Sequence, residues 1–294
     1  MVGEIRCAAP VGDHCGEAAT WSQEEGRLYW CDVNRFLIHA LDPATNAVLS
    51  WHFDEPVVAL ALTDKRETLL VALASRLILW NSRTDSRTDY GFQLSDFPRA
   101  RLNDGRVGPN GELWIGSMSN NVGSAGEALQ AWAGEGRLFC IRSGSDPRVF
   151  KSGIGISNTV CWSPDLGRFY FGDSLKNVVW SYDYHGGGIA NEQSFFEGFG
   201  RGNPDGSAMD ADGYLWNCRF GGSCVVRVAP SGEIDRIVEM PVRNITTCAF
   251  GGKDLRTLYI TTATILGGHR DRLSGSLFAM EVATPGLPSW PFKL

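Results

Sequence analysis

Gly26-Arg-Leu-Tyr-Trp-Cys-Asp32 and Gly167-Arg-Phe-Tyr-Phe-Gly-Asp173 state one phrase twice: a turn glycine, a short aromatic strand and an acidic stop. Looser copies read Glu67-Thr-Leu-Leu-Val71, Gly111-Glu-Leu-Trp-Ile-Gly116, Gly213-Tyr-Leu-Trp-Asn217 and Arg256-Thr-Leu-Tyr-Ile-Thr261. Aligned on Tyr29, Leu70, Trp114, Tyr170, Trp216 and Tyr259, they lie 41, 44, 56, 46 and 43 residues apart. A second strand follows each copy, at Leu37 to Leu41, Leu77 to Trp80, Leu138 to Ile141, Val178 to Tyr182, Val225 to Val228 and Leu277 to Val282. A period of roughly 40–50 residues with several short strands per unit is the signature of a β-propeller. Six copies predict six blades.

A β-sandwich is the competing all-β architecture, but it would not explain six similar phrases. Turns such as Pro109-Asn-Gly111, Ser163-Pro-Asp165 and Asp210-Ala-Asp-Gly213 supply the positive φ values that tight hairpins demand. The segment Val2 to Ala8 is expected to pair with the last blade and close the ring, which removes a sheet edge. The expectation is an all-β, six-bladed β-propeller occupying residues 1–294 as a single domain. The longest gap comes from an insertion, Ser119 to Gly136. Its Ala125-Gly-Glu-Ala-Leu-Gln-Ala-Trp132 centre has room for one or two helical turns, and reads either as a surface loop or as a flap beside the channel mouth.

Composition agrees with one large all-β unit. Thirty-five glycines and 13 prolines punctuate short apolar runs, and 10 tryptophans and 15 phenylalanines supply the flat side chains that fill stacked sheets. A net charge of −6 without a basic cluster argues against nucleic acid as a partner. No window is apolar for long enough to span a membrane, and Met-Val-Gly-Glu-Ile-Arg-Cys lacks the apolar stretch of a secretory signal. Eight cysteines include no C-x-x-C pair, and most lie in apolar strand-like runs as small hydrophobes. A cytoplasmic protein with reduced thiols is expected, monomeric or a weak homodimer.

In a propeller, chemistry sits where loops of different blades converge on the central channel. Four polar elements occupy comparable slots, each a few residues ahead of an aromatic strand expected to be the inward one: Glu17 in His14-Cys-Gly-Glu-Ala-Ala-Thr-Trp21, the trio Arg101, Asn103 and Asp104, Asn158 in Gly153-Ile-Gly-Ile-Ser-Asn-Thr-Val160, and Asp205 in Gly202-Asn-Pro-Asp-Gly-Ser207. The Arg-Leu-Asn-Asp-Gly stretch reads as a turn running directly into an apolar strand. Two carboxylates with amide oxygens form a hard-oxygen set suited to a divalent cation completed by water. The five histidines (14, 39, 52, 185, 269) show no ligand spacing, so a histidine-rich zinc centre is not expected. No Gly-x-Ser-x-Gly elbow offers a serine nucleophile.

The string Arg101-Leu-Asn-Asp-Gly-Arg-Val-Gly-Pro-Asn-Gly-Glu-Leu-Trp-Ile-Gly-Ser-Met118 closely resembles the corresponding segment of the senescence marker protein/gluconolactonase/luciferin-regenerating, or regucalcin-like, family. The resemblance extends over essentially the whole chain. It implies that Glu17, Asn158 and Asp205 bind one divalent metal ion, with Ca²⁺, Zn²⁺, Mn²⁺, Mg²⁺ and Fe²⁺ all open. It implies that Arg101 and Asn103 bind substrate. Two departures stand out: Cys15-Gly-Glu-Ala-Ala19 replaces the commoner Leu-Gly-Glu-Gly-Pro or -Cys pattern, and Asn120-Asn121 stands where animal relatives carry a Glu pair. Asn121 is therefore a third substrate-binding candidate. The function expected is metal-dependent hydrolysis of a sugar-acid lactone, pentono- or hexono-, with Asp205 catalytic as the residue that holds or deprotonates water. A regucalcin-like calcium-binding protein, or an arylesterase or phosphotriesterase on the same propeller, is the alternative.

Overall fold

The computed structural model describes residues 3–268 and 271–294; Val2, at the start of the expected closing strand, and His269 lie outside them. Six four-stranded antiparallel sheets form a ring, a six-bladed β-propeller without α-helix among the described residues. Each blade begins with an inner strand: Gly16–Ser22, Val57–Leu62, Ala100–Val107, Ser157–Trp162, Asn203–Met209 and Asn244–Gly251. Each inner strand packs against the inner strands of both neighbouring blades, so the six line one channel.

Burial follows from position in the blade. Val57–Leu62 and Leu113–Ser119 are buried almost throughout, because both faces meet neighbouring sheets. The outermost strands Ala47–His52 and Ile234–Glu239 alternate with water and are mostly exposed. Between blades the gaps are filled by fully buried Trp30, Trp80, Trp114 and Trp162. Trp51 and Phe53 meet Trp80 edge-on at centroid separations of 5.0 and 5.8 Å.

The N-terminal segment closes the ring through a strand shorter than the Val2 to Ala8 expected, starting at Arg6 and ending one residue later at Ala9. Arg6–Ala9 pairs with Leu277–Glu281 as the outer strand of blade 6, extended by Gly3 N donating to the Glu281 carbonyl at 2.7 Å. The opposite terminus crosses the lower end of the channel. Gly286 N bonds Leu255 O in blade 6, Leu287 N bonds Met209 O in blade 5, and Phe292 N bonds Leu62 O at 2.7 Å in blade 2. Leu287 and Trp290 thereby floor a cavity of about 60 Å³ that Asp104, Arg106 and Thr247 also line.

Two sequence expectations need correction. The aromatic phrase is the second strand of each blade; the inward strand is the one before it, which carries the polar residues. The insertion Ser119 to Gly136 forms no helix. It makes a small hairpin closed by the Val122–Ala128 bridge and by Leu129 N donating to Asn121 O at 2.8 Å. Its tip reaches blade 1, where Asn34 Nδ2 donates to Gly126 O at 2.8 Å. Gly126 is required there: its φ is +80°, and a Cβ would run into the Asn34 carbonyl. Ala125-Gly126 thus spends its helical potential on a turn, since a glycine at positive φ ends a helix rather than extending it.

Candidate active site

All six inner strands carry a register shift near their first residues, between Glu17 and Thr20, Val57 and Ala59, Leu102 and Gly105, Asn158 and Val160, Pro204 and Ser207, and Ile245 and Cys248. Each is a β-bulge with one extra residue on the inner strand, which bends the strand and re-aims its side chains. Ala18 and Thr159, in two of these bulges, are held at φ of 57° and 55°, a region non-glycine residues rarely adopt. Glu17, Arg101, Asn103, Asp104, Asn158 and Asp205 all lie in or beside such bulges, on strands rather than on the turns expected from sequence. The Asn-Asp-Gly chemistry that suits a turn serves equally in a bulge, because both need a local break in regular pairing.

The structure brings the candidates together. Arg101 is buried, and its Nε and Nη2 donate to Asn121 Oδ1 at 2.9 and 2.6 Å. Its Nη1 donates to Asn103 Oδ1 at 2.6 Å and to Leu102 O at 2.8 Å. Asn103 Nδ2 in turn donates to Ser157 O at 2.8 Å and lies 3.4 Å from Asn158 Oδ1. Asn158 Nδ2 is committed to Ser174 Oγ at 2.9 Å, which turns its carbonyl oxygen towards Asn103 Nδ2 and leaves that oxygen one lone pair to spare. Asn120 has a different duty: its Oδ1 accepts from Val122 N at 3.2 Å and caps the hairpin.

Electrostatics mark the carboxylates. Burial pushes the Glu17 carboxyl well above its ordinary range, and Asp205 and Asp104 push it further. Burial and then Asp104 raise Asp205 in the same way. Burial also raises Asp104, partly offset by Arg106 and by the amides of Gly105 and Thr159. Each of the three carboxylates has one guanidinium acting on it, Arg101 on Glu17, Arg106 on Asp104 and Arg219 on Asp205, yet each still holds its proton more tightly than a free carboxyl, and a bound cation would favour the charged forms. Burial lowers Arg101 to about 10, so it remains charged at neutral pH.

No group of three or more His, Cys, Asp or Glu side chains suited to a metal occurs among the described residues. The set that does converge pairs two carboxylates, Glu17 and Asp205, with the amide oxygen of Asn158. Those are hard oxygen donors that fit a divalent cation keeping part of its water shell. Asp104 was named from sequence without a role, and here it is the charge that most perturbs Asp205. Arg219 was missed. Its only signal is a charge inside the otherwise uncharged strand Leu215-Trp-Asn-Cys-Arg-Phe220.

A family model described as the SMP-30/Gluconolactonase/LRE-like region matches residues 15–264, which contain every one of these groups. The chain belongs to this family. It is 31% identical to a pentonolactonase of Haloferax volcanii, with 94% of this chain and 93% of that protein covered. It is 30% identical to a 6-deoxy-6-sulfogluconolactonase of Pseudomonas putida, with 96% of each covered. Among solved structures, a calcium-binding protein, regucalcin, from Agrobacterium tumefaciens superposes with a TM-score of 0.91 at 26% identity, covering 99% of this chain and 98% of that one.

Proposed function

We propose that this protein is a lactonase, hydrolysing a sugar-acid lactone to the aldonic acid with one divalent cation held by Glu17, Asn158 and Asp205. The observation that carries the reading is the convergence of those three groups with Arg101, Asn103 and Asn121 at one channel mouth. The family's named lactonases support it. A bound cation would supply Lewis-acid polarisation of the lactone carbonyl.

The chain's own groups perform the remaining work. Asp205 orients the attacking water and takes its proton as the oxygen bonds to the lactone carbon. When the ring C–O bond breaks, that proton returns to the departing ring oxygen as the product hydroxyl. Nη2 of Arg101 keeps one N–H that none of the contacts above uses, and Asn121 keeps its Nδ2 donors. These three N–H groups face a sugar's oxygens, so they supply orientation. Asn103, spent on Arg101 and Ser157, acts by holding Arg101 against Asn158 rather than by lending a free donor.

We also propose a single propeller domain, monomeric or weakly dimeric and cytoplasmic; eight free cysteines suit the reducing compartment. The test is a panel of pentono- and hexonolactones, aryl esters and organophosphates, each assayed with added Ca²⁺, Zn²⁺, Mn²⁺, Mg²⁺ or Fe²⁺. Turnover of aldonolactones above all other classes is expected. Preference for aryl esters or phosphotriesters would overturn the substrate class, and metal binding with no turnover would favour a calcium-binding role.

A further inference from the structure

Arg219 is 1% exposed, on the second strand of blade 5, directly opposite Pro204. A buried guanidinium is expected to meet a carboxylate, because an uncompensated buried charge is costly. Arg219 meets none. Its Nε donates to Arg201 O at 3.1 Å, and its Nη2 to Gly202 O at 2.6 Å, Phe199 O at 3.2 Å and Asn177 Oδ1 at 2.6 Å. Its Nη1 donates to Asn217 Oδ1 at 3.2 Å. Every acceptor is neutral.

Those acceptors form a pattern. Phe199, Arg201 and Gly202 belong to the rim segment that leads into the strand bearing Asp205. Asn177 belongs to the rim of blade 4, in the same turn as Ser174, whose Oγ donates to Pro204 O at 2.6 Å and accepts from Asn158 Nδ2. Asn217 passes the constraint inward: its Nδ2 donates to Ser207 Oγ at 2.9 Å, and Ser207 Oγ meets Thr159 Oγ1 at 2.8 Å. Thr159 Oγ1 donates to the Asp205 carbonyl at 2.6 Å. One planar fork therefore fixes both sides of the bulge that projects Asp205, together with the turn that orients Asn158. A lysine could not do this, since its single ammonium lacks the fixed, divergent donors of the guanidinium.

We infer that Arg219 is a positioning residue for the reaction, holding the rim of blades 4 and 5 so that the Asp205 bulge and Asn158 keep their mutual placement. This rests on the proposed lactonase reading for its effect on turnover, though not for its effect on the backbone.

The test compares wild type, Arg219→Met and Arg219→Lys by hydrogen exchange on metal-free protein, by Mn²⁺ titration and by lactone kinetics. In Arg219→Met, exchange should rise across 198–207 and 174–177 while the inner strands of blades 1, 2 and 3 stay protected. Mn²⁺ affinity and kcat should each fall tenfold or more, with KM at saturating metal within about twofold. Arg219→Lys should recover less than half of the lost kcat. Wild-type exchange and kcat in Arg219→Met would overturn the inference, as would full rescue by lysine. Loss of protection throughout all six blades would also overturn it, since Arg219 would then be a general stability residue. A wild type that turns over lactones without metal would overturn the proposed chemistry instead; exchange and kcat would still decide the role of Arg219.

Discussion

At the scale of single residues, Asp205 is asked to hold a cation and to handle the proton of water. Asp205→Asn keeps the shape and removes the base, so kcat should fall by about 10²- to 10⁴-fold. Its melting temperature should not drop, because burial and the neighbouring Asp104 already disfavour the charge that the change removes. Parallel kinetics and calorimetry check both halves; a near-wild-type rate would make Asp205 structural. Asn121 tests substrate choice. Its Oδ1 is occupied by Arg101, so what it offers a sugar is N–H, and Asn121→Glu would replace those donors with an acceptor. An unmatched polar group in a desolvated pocket costs about 1–3 kcal/mol. The ratio of kcat/KM for pentono- over hexonolactones should therefore change in Asn121→Glu, and an unchanged ratio would remove Asn121 from substrate contact.

At the scale of elements, the bulged inner strand is the unit that makes the site, and its charges tie metal to stability. Glu17 and Asp205 hold protons more tightly in the native state than in the unfolded chain. Native protein then binds more protons than unfolded, so stability falls as pH rises. The contribution is complete below the ordinary carboxylate range and is lost as pH climbs through the raised native values. Thermal melts of chelated protein should show that decline, and a divalent cation should flatten it. These strands also show where sequence reading ran out. The residue types at the mouth were legible because Glu17, Asn158 and Asp205 recur at one slot per repeat. Their placement was misread because Asn103-Asp104-Gly105 carries the same local chemistry in a bulge as in a turn. The contact between Asn34 and Gly126 joins blades 1 and 3 without any period, so nothing in the sequence announced it.

At the scale of the whole molecule, the six-blade ring was readable because every blade must repeat the same strand spacing to close. The C-terminal crossing was not, since a strap that meets blades 6, 5, 2 and 3 through irregular contacts leaves no repeat. Its anchor is Phe292, fully buried against Tyr90 at a centroid distance of 5.5 Å. Phe292→Ala should cost about 3–5 kcal/mol by leaving a cavity and loosening the strap, measurable by denaturant unfolding. A loss well under that would mean the tail contributes little to the ring. The proposed chemistry depends on a cation at the mouth of that ring. The direct measurement is lactone hydrolysis by protein stripped of divalent metal, followed by titration of the ion back in. Activity should vanish on stripping and return in full at one equivalent of metal per chain; full activity in demonstrably metal-free protein would contradict the mechanism.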